Sequence, residues 1–331
     1  MQDLAALCVG DAIVDIFLRI PEDNPHFGLD EKANKLFIGF GEKIVVEKYE
    51  IAMGGNANNT AVGLAKLGIK TALIAEIGKD EFAQKIIENL KSENVDSSFI
   101  IETPTEKTSF SVGISYKGER TLFVEHVERM HNFKFPETKP RLVYLTSLGR
   151  IWEKAYIDAF EFSQKENALL AFNPGGIQIA ERGNIIWSIL EKTDFLFVNK
   201  EEAEEILYGK EIKFTSEKSI KKLLYGLKGL GPRNIIITDS GNGSYLQDEQ
   251  NNTHHLGIMN VPVVEKTGAG DSFNAGFLAA VLKGSSLTQA MAWGNLNAAS
   301  VVQQVGAQRG LLTEEQLKKE ASNFKDTPEE F

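Results

Sequence analysis

Asp194-Phe195-Leu196-Phe197-Val198-Asn199-Lys200-Glu201-Glu202-Ala203-Glu204-Glu205-Ile206-Leu207-Tyr208 changes its periodicity once, at Asn199. Before that point, Asp194–Val198 is a continuous apolar run rich in Phe, Leu and Val, which suits a strand buried on both faces. After it, Lys200–Tyr208 sets apolar residues at helical spacing among acids. A doubly buried strand feeding straight into an amphipathic helix is the repeating unit of a parallel sheet wrapped by helices.

The same alternation extends in both directions. Leu4–Val9, Thr71–Ile77, Leu142–Leu145, Ala168–Phe172 and Asn234–Thr238 read as further core strands. Helical patterns lie between them at Asn58–Leu67, Glu81–Glu93, Glu153–Lys165 and Glu217–Leu227. The C-terminal third adds Gly270–Leu282 and Leu287–Gln304, and the capping-box spacing of Thr313 and Gln316 announces a last helix. The expected fold is therefore α/β with a mainly parallel central sheet. Two stretches, Lys35–Ala52 and Thr108–His126, instead alternate apolar and polar residues, and Lys117-Gly118-Glu119 sits mid-way in the second as a turn would. They predict antiparallel strands with one exposed face, a small side sheet that serves as a lid over a cleft or as a plain β-flap. With no repeat or linker in view, residues 1–331 read as one domain with lid strands inserted at about 35–52 and 108–126.

Bulk chemistry narrows the function. The net charge is −10 and no Lys/Arg block could track a phosphate backbone, so nucleic acid is not an expected partner. Any anionic ligand must be held by backbone N–H groups and a metal rather than by bulk positive charge. Cys8 is the only cysteine and lies in an apolar run, which excludes an intrachain disulfide and predicts a buried, inert thiol. Asp11 and Asp15 interrupt the N-terminal apolar stretch, no basic leader precedes it, and no run approaches the ~18 apolar residues of a membrane span. A soluble cytoplasmic protein is expected.

Thr267-Gly268-Ala269-Gly270-Asp271-Ser272-Phe273 enters the Gly270–Leu282 pattern and carries the chemistry. Small residues let the backbone approach a ligand, and a helix that starts there aims its free N–H groups and positive dipole end into the turn. An acid at that turn would repel a phosphate, unless it takes a proton from an attacking hydroxyl. On spacing alone Asp271 is equally an ordinary acid of a helix first turn.

Gly268-Ala269-Gly270-Asp271 followed by Ser-Phe-Asn-Ala-Gly-Phe resembles the C-terminal signature of the ribokinase-like (PfkB) sugar and nucleoside kinases. Met53-Gly54-Gly55-Asn56-Ala57-Asn58-Asn59-Thr60-Ala61, then Ala65-Lys66-Leu67-Gly68, is similar to the N-terminal signature. Gly10 with Asp15, Asn199 with Glu202, and Thr238 with Gly241 and Gly243 match further motifs in order, so the resemblance spans nearly the whole chain. It implies a ribokinase-like three-layer α/β/α fold and ATP-dependent phosphorylation of a hydroxyl on a sugar or sugar-like molecule. It makes Gly268, Ala269 and Gly270 the anion hole and Asp271 the general base. It assigns Asp15, Gly54, Gly55 and Asn59 to the substrate, with Asp11 as a weaker alternative to Asp15. Asn199, Thr238, Gly241, Gly243 and Asn297 go to the nucleotide, and Glu202 with Asn199 to Mg²⁺.

Departures from the pattern bear on cofactor and substrate. Glu265-Lys266 stands where the family commonly has Asp-Thr, which leaves K⁺ activation open, and Glu125-His126-Val127-Glu128-Arg129 replaces the usual Gly-Ala-Asn stretch at a place that would touch the substrate. Phe37, Phe40, Phe110 and Phe123 alternate in the expected lid, either to stack on a nucleobase or as its own apolar face. Arg120 could reach a substrate anion or stay solvated, and Asn173-Pro174-Gly175-Gly176 is a βα turn where relatives approach ligand. The five histidines show no metal-ligand spacing, and His254-His255 reads as a loop. A sugar kinase leads, a nucleoside kinase follows, and a non-catalytic sugar or nucleotide sensor is the reading from another class. Relatives pair through the lid sheet, so a homodimer is one open outcome.

Overall fold

Burial on both faces is what sets the Asp194-type runs side by side. In the computed structural model, which describes residues 4–30, 35–117, 119–209, 219–324 and 327–331, they form one nine-stranded sheet. Its order is Thr71–Ile74, Ala6–Val9, Leu142–Thr146, Leu169–Asn173, Phe195–Asn199, Asn234–Thr238, Ser244–Gln247, Thr253–Leu256 and Glu329–Glu330. Every pairing from Thr71–Ile74 to Asn234–Thr238 is parallel, and the last three strands add antiparallel.

Successive residues of each strand point to opposite faces, and they divide cleanly between two cores. Cys8, Tyr144, Phe197 and Ile236 pack with the helices Asn56–Lys66, Glu81–Ser92, Ala269–Leu282, Leu287–Val301 and Glu314–Asn323. Val9, Leu145, Val198 and Ile237 pack with Glu153–Glu166, Gly176–Glu181, Asn184–Glu191, Lys200–Tyr208 and Ile220–Lys228. The result is three layers, α/β/α. Cys8 is fully buried and burial pushes its thiol pKa up, which makes it inert. The Thr313–Gln316 capping box is formed. The helix expected to start at Glu217 has that start outside the described residues.

A four-stranded sheet stands to one side, in the order Glu119–Glu125, Phe110–Tyr116, Ile13–Arg19, Lys48–Gly54. Thr108–His126 supplies the expected antiparallel pair, but the other expected lid segment needs correction. Of Lys35–Ala52, only the end enters this sheet, while Lys35–Ile38 pairs with Phe27–Asp30 in a separate ribbon. Ile13–Arg19, which was not among the expected strands, is a central strand of the side sheet and brings Asp15 into register with Ser111. His254 and His255 lie on a strand, and His255 stacks on Tyr245 at 4.4 Å, so they are not a loop. Among the described residues no helix is long and apolar enough to cross a membrane.

The helix that bears Asp271 is buried almost all round, and it approaches its neighbours through small residues. A Cβ at Gly276 would sit 2.5 Å from the Trp293 carbonyl oxygen, and one at Gly63 would sit 2.6 Å from Ala275 Cβ. Because the Gly276 obstacle is backbone, it cannot swing aside. Gly276→Ala should therefore cost about 1–3 kcal/mol by overpacking, read as a lowered urea midpoint at unchanged slope. A loss below about 0.5 kcal/mol would mean the helices separate freely.

Candidate active site

Parallel strands end at one edge of the sheet, so the loops that leave them converge there. Two adjoining cavities open at this edge. One, about 210 Å³, is lined by Asn173, Asn199, Glu202, Thr238, Lys266 and Gly270; the other, about 260 Å³, by Asp11, Asp15, Asn59, Ser111, Val124 and His126. Asn56, Gly268 and Asp271 line both. Asp271 is thus on the shared wall.

The turn before it is fixed by space. Gly268 caps the helix with φ 75°, and a Cβ there would lie 2.3 Å from Ala307 Cβ, whereas one at Gly270 would meet nothing. The Ala269 N–H donates to the Lys266 carbonyl at 3.2 Å, so of the first-turn donors those of Gly270 and Asp271 are left without a preceding helical carbonyl. The Asp271 Oδ2 accepts from Asn59 Nδ2 at 2.8 Å, and Asn59 Oδ1 accepts from Gln308 Nε2 at 3.1 Å. Burial pushes the Asp271 carboxyl up to about 7; the Asn59 bond opposes the rise, and the Asp15 and Glu202 charges add to it.

In the second cavity Asp15 is buried, and the Ser111 hydroxyl donates to its Oδ1. Burial raises its pKa, against the pull of that bond and of the Arg120 charge. Gly54 exists to make room, since a Cβ there would be 2.1 Å from Asp15 Oδ2, and Gly55, at φ 93°, leaves the same room for the Asp11 carbonyl. Burial also drives Asp11 to about 7. Asn59, expected on the substrate, lines the cavity but spends both ends of its amide on Asp271 and Gln308.

At the other end Asn199 and Glu202 form a reciprocal capping box, with Glu202 Oε2 accepting from the Asn199 N–H at 2.9 Å. Glu202 is nonetheless held at about 7, chiefly by burial. Among the described residues no group of three or more His, Cys, Asp or Glu could hold a metal alone. One cavity-lining carboxylate beside a phosphate site is, however, how Mg²⁺ is commonly bound, with phosphate and water oxygens completing the shell. Of the expected nucleotide loop, Thr238 lines the cavity, while Gly241 and Gly243 shape the turn behind it.

Sequence comparison decides between kinase and accident. The pfkB family carbohydrate kinase pattern matches residues 22–314. The chain belongs to that family. It is 28% identical over 281 residues to a ribokinase of Staphylococcus aureus, covering 82% of this chain and 89% of that one. The crystal structure of a Methanocaldococcus jannaschii nucleoside kinase superposes with TM-score 0.77 at 23% identity, covering 97% of this chain and 98% of the other. Arabidopsis thaliana ribokinase, solved with ribose and ATP, also gives 0.77, at 20% identity over 98% and 100% of the two chains. The fold is ribokinase-like and the protein is a kinase.

Several residues of this pfkB kinase do something other than the sequence predicts. Asn297 lines neither cavity: it is fully buried, donates to the Ser272 carbonyl at 2.7 Å and accepts from the Leu312 N–H at 3.0 Å. Arg120 is neither solvated nor free for a substrate anion. It pairs with Glu265 and lies over the Phe17 ring at 5.6 Å. The second Glu265 oxygen accepts from the Gly306 N–H at 3.0 Å. None of Phe37, Phe40, Phe110 and Phe123 lines either cavity; Phe110 packs on Phe82 at 6.1 Å instead. Sequence reasoning passed over Ser111, Gln308 and Lys266. The first two reach the site only through the tertiary fold. Lys266 was legible, being a cation two residues before Gly268.

The Asp271 proton is bound more tightly in the folded chain than in the unfolded one. Its contribution to stability is therefore full below 3.8 and is lost as the pH rises through about 7. Asp271→Asn removes that loss. Relative to the parent, the variant should gain about 2–3 kcal/mol between about pH 5 and about pH 8, read by urea denaturation at both. A pH-independent difference would mean an Asp271 that titrates like an exposed acid.

Proposed function

We propose that this kinase transfers the γ-phosphoryl group of ATP to a hydroxyl of a sugar or sugar-like molecule, with Asp271 as general base. The observation that carries the proposal is the position of Asp271 on the shared wall of two adjoining cavities, one acid-lined and one with Lys266 and a helix start. The acceptor lies in the cavity of Asp15, which takes hydrogen bonds from neighbouring hydroxyls while Ser111 holds the carboxylate in place. Gly55 lines that cavity, and Gly54 leaves the space that the Asp15 carboxylate occupies. The donor's phosphates lie in the other cavity, against Lys266 and the first-turn N–H groups after Gly268.

As the acceptor oxygen bonds to the γ-phosphorus, its proton passes to the Asp271 carboxylate and the bond to the ADP oxygen breaks. Asn59, braced by Gln308, fixes which carboxylate oxygen is free to receive that proton. A carboxyl poised near 7 is a far better proton acceptor than an ordinary Asp, and it still ionises at neutral pH. Mg²⁺, when bound, neutralises charge on the donor phosphates, and Glu202 is the side chain that would hold it. A sensor without chemistry has no use for a carboxyl so placed.

ADP release with ATP, Mg²⁺ and panels of sugars and nucleosides tests the reading. Turnover should rise with pH and level off above about 7. Asp271→Asn should cut kcat by at least ~10²-fold while ATP affinity stays within about threefold. Near-parental turnover in the variant would remove the base from Asp271. No product with any acceptor would return the chain to the sensor reading.

A further inference from the structure

Four consecutive residues in the loop after the Leu287–Val301 helix touch both halves of the site. The Gly306 N–H donates to Glu265 Oε2 at 3.0 Å. A Cβ at Gly306 would stand 3.0 Å from the Cβ of Ala52, the side-sheet residue in register with Asp15. Ala307 fills the place of a Gly268 side chain. Gln308 donates to Asn59 at 3.1 Å, and Asn59 donates to Asp271 at 2.8 Å. Arg309 pairs with Glu50, which also pairs with Lys48 at 2.8 Å and lies on the same strand as Ala52. Gly306–Arg309 is thus a strap whose ends meet the side sheet and whose middle meets the catalytic turn.

The side sheet holds the strap by a second route. Arg120, on Glu119–Glu125, pairs with Glu265, the acceptor of the Gly306 N–H, and lies over the Phe17 ring at 5.6 Å. The N–H groups of Val264 and Glu265 both donate to the Val302 carbonyl, at 2.8 and 3.1 Å. The loop that enters Gly268 and the loop that carries the strap are therefore one assembly. Glu119–Glu125 and Lys48–Gly54 are the two edge strands of the side sheet, so the two ion pairs clamp that assembly from opposite edges. Partly exposed ion pairs add little to stability. What these two add is alignment, because the links beyond them are close-packed contacts and short hydrogen bonds that do not stretch.

We propose that Arg120 and Arg309 are positioning residues: through the Gly306–Arg309 strap, the side sheet holds the Gly268–Asp271 turn in the geometry that receives the transferred phosphoryl group. This rests on the reading of that turn as the phosphoryl site. Neither arginine lines the cavity of Glu202 or that of Asp15, so both act through other residues. A side sheet that lifts from the body breaks both pairs, frees the strap and releases Gln308 from Asn59, and the Asp271 carboxyl loses its orientation. The turn is complete while the sheet covers the acceptor, and slack when the sheet is raised and water has entry.

MgADP titrated calorimetrically into the full chain, with and without aluminium fluoride, reads the turn without an acceptor, since fluoroaluminate stands in for the transferred phosphoryl group. In the parent, aluminium fluoride should tighten MgADP at least ~10-fold, as a transition-state mimic does. Arg120→Gln and Arg309→Gln should each keep the affinity for MgADP alone within about twofold and lose at least ~5-fold of the tightening. Arg309 is half exposed, so its variant reads the strap even where Arg120→Gln unfolds. Arg120→Lys, which returns the charge, should recover part of the loss. A bracing role alone would lower the melting temperatures of the variants and leave the tightening untouched. That result, or a parent in which MgADP binds and aluminium fluoride adds nothing, would overturn the inference. MgADP that does not bind the parent at all would sink the kinase reading, and the inference with it.

Discussion

A carboxylate sealed into the first turn of a buried helix is pulled in opposite directions. The helix N-terminus favours its charge, whereas desolvation and the neighbouring charges of Asp15 and Glu202 disfavour it. Those forces leave Asp271 poised near neutrality, and the position tolerates no slack. A carboxyl turned into the solvent-filled cavity would recover its ordinary pKa, and one turned into the core would have no partner. The Asn59 amide settles the orientation, and Gln308 settles which way that amide faces. Much of the surrounding structure can be understood as keeping this arrangement in register.

Three helices do that work through backbone contact rather than long side chains. Gly268 must be glycine because Ala307 fills the place of its Cβ, and Gly276 and Gly63 bring Leu287–Val301 and Asn56–Lys66 close enough to fix the helix laterally. Asn297 ties the Ser272 carbonyl to the Leu312 N–H, so the first turn is pinned from below. Asn274 donates to the Tyr144 hydroxyl at 3.0 Å, which joins the next turn to the central sheet. The side sheet is tied to the same place. The Arg120–Glu265 pair is half-hidden over Phe17, and Glu265 also receives the Gly306 N–H, so strand Glu119–Glu125 and the loop before Gly268 move together. Breaking such a pair on one side leaves a partly buried charge without its partner, a larger loss than the pair itself contributes.

What the sequence disclosed, and what it withheld, follows from the same geometry. The core strands were legible because burial on both faces writes a continuous apolar run, as at Phe195–Val198 and Ile235–Ile237. Ile13–Arg19 was not, because the buried Asp15 breaks its apolar pattern and Val14, on the opposite face, is buried as well. Its reason for being a strand is Ser111, nearly a hundred residues away in the chain. The glycines around Asp271 were legible as a tight turn, but only the coordinates name the atoms that forbid a side chain. Asn297 shows that an asparagine in a helix announces a polar contact without saying whether the partner is a ligand or, as at the Ser272 carbonyl, the backbone. Asn199 and Glu202 carry the mark of a cap and line the cavity at once, and no spacing rule separates the two. The four lid phenylalanines left a nucleobase stack and the lid's own apolar face both open, and strand alternation turns Phe123 away and brings Leu122 and Val124 to the cavity.

A division of labour follows from where these residues sit. Asp271, Asn59, Glu202 and Thr238 stand at helix starts or strand ends of the three-layer body, on elements whose cores are fully buried. Leu122, Val124 and His126, which line the Asp15 cavity, stand on the side sheet and the loop after it, with large exposed surfaces. Changing a residue of the first kind disturbs packing that several helices share. Changing one of the second alters a wall and little else. The Gly268–Asp271 turn and the Gly54–Asn59 stretch are of the first kind, and so is Arg129, which is buried and donates to the Glu76 and Lys107 carbonyls. The chemistry proposed for Asp271 thus sits where substitution is costly to stability, and the cavity walls on the side sheet sit where it is cheap.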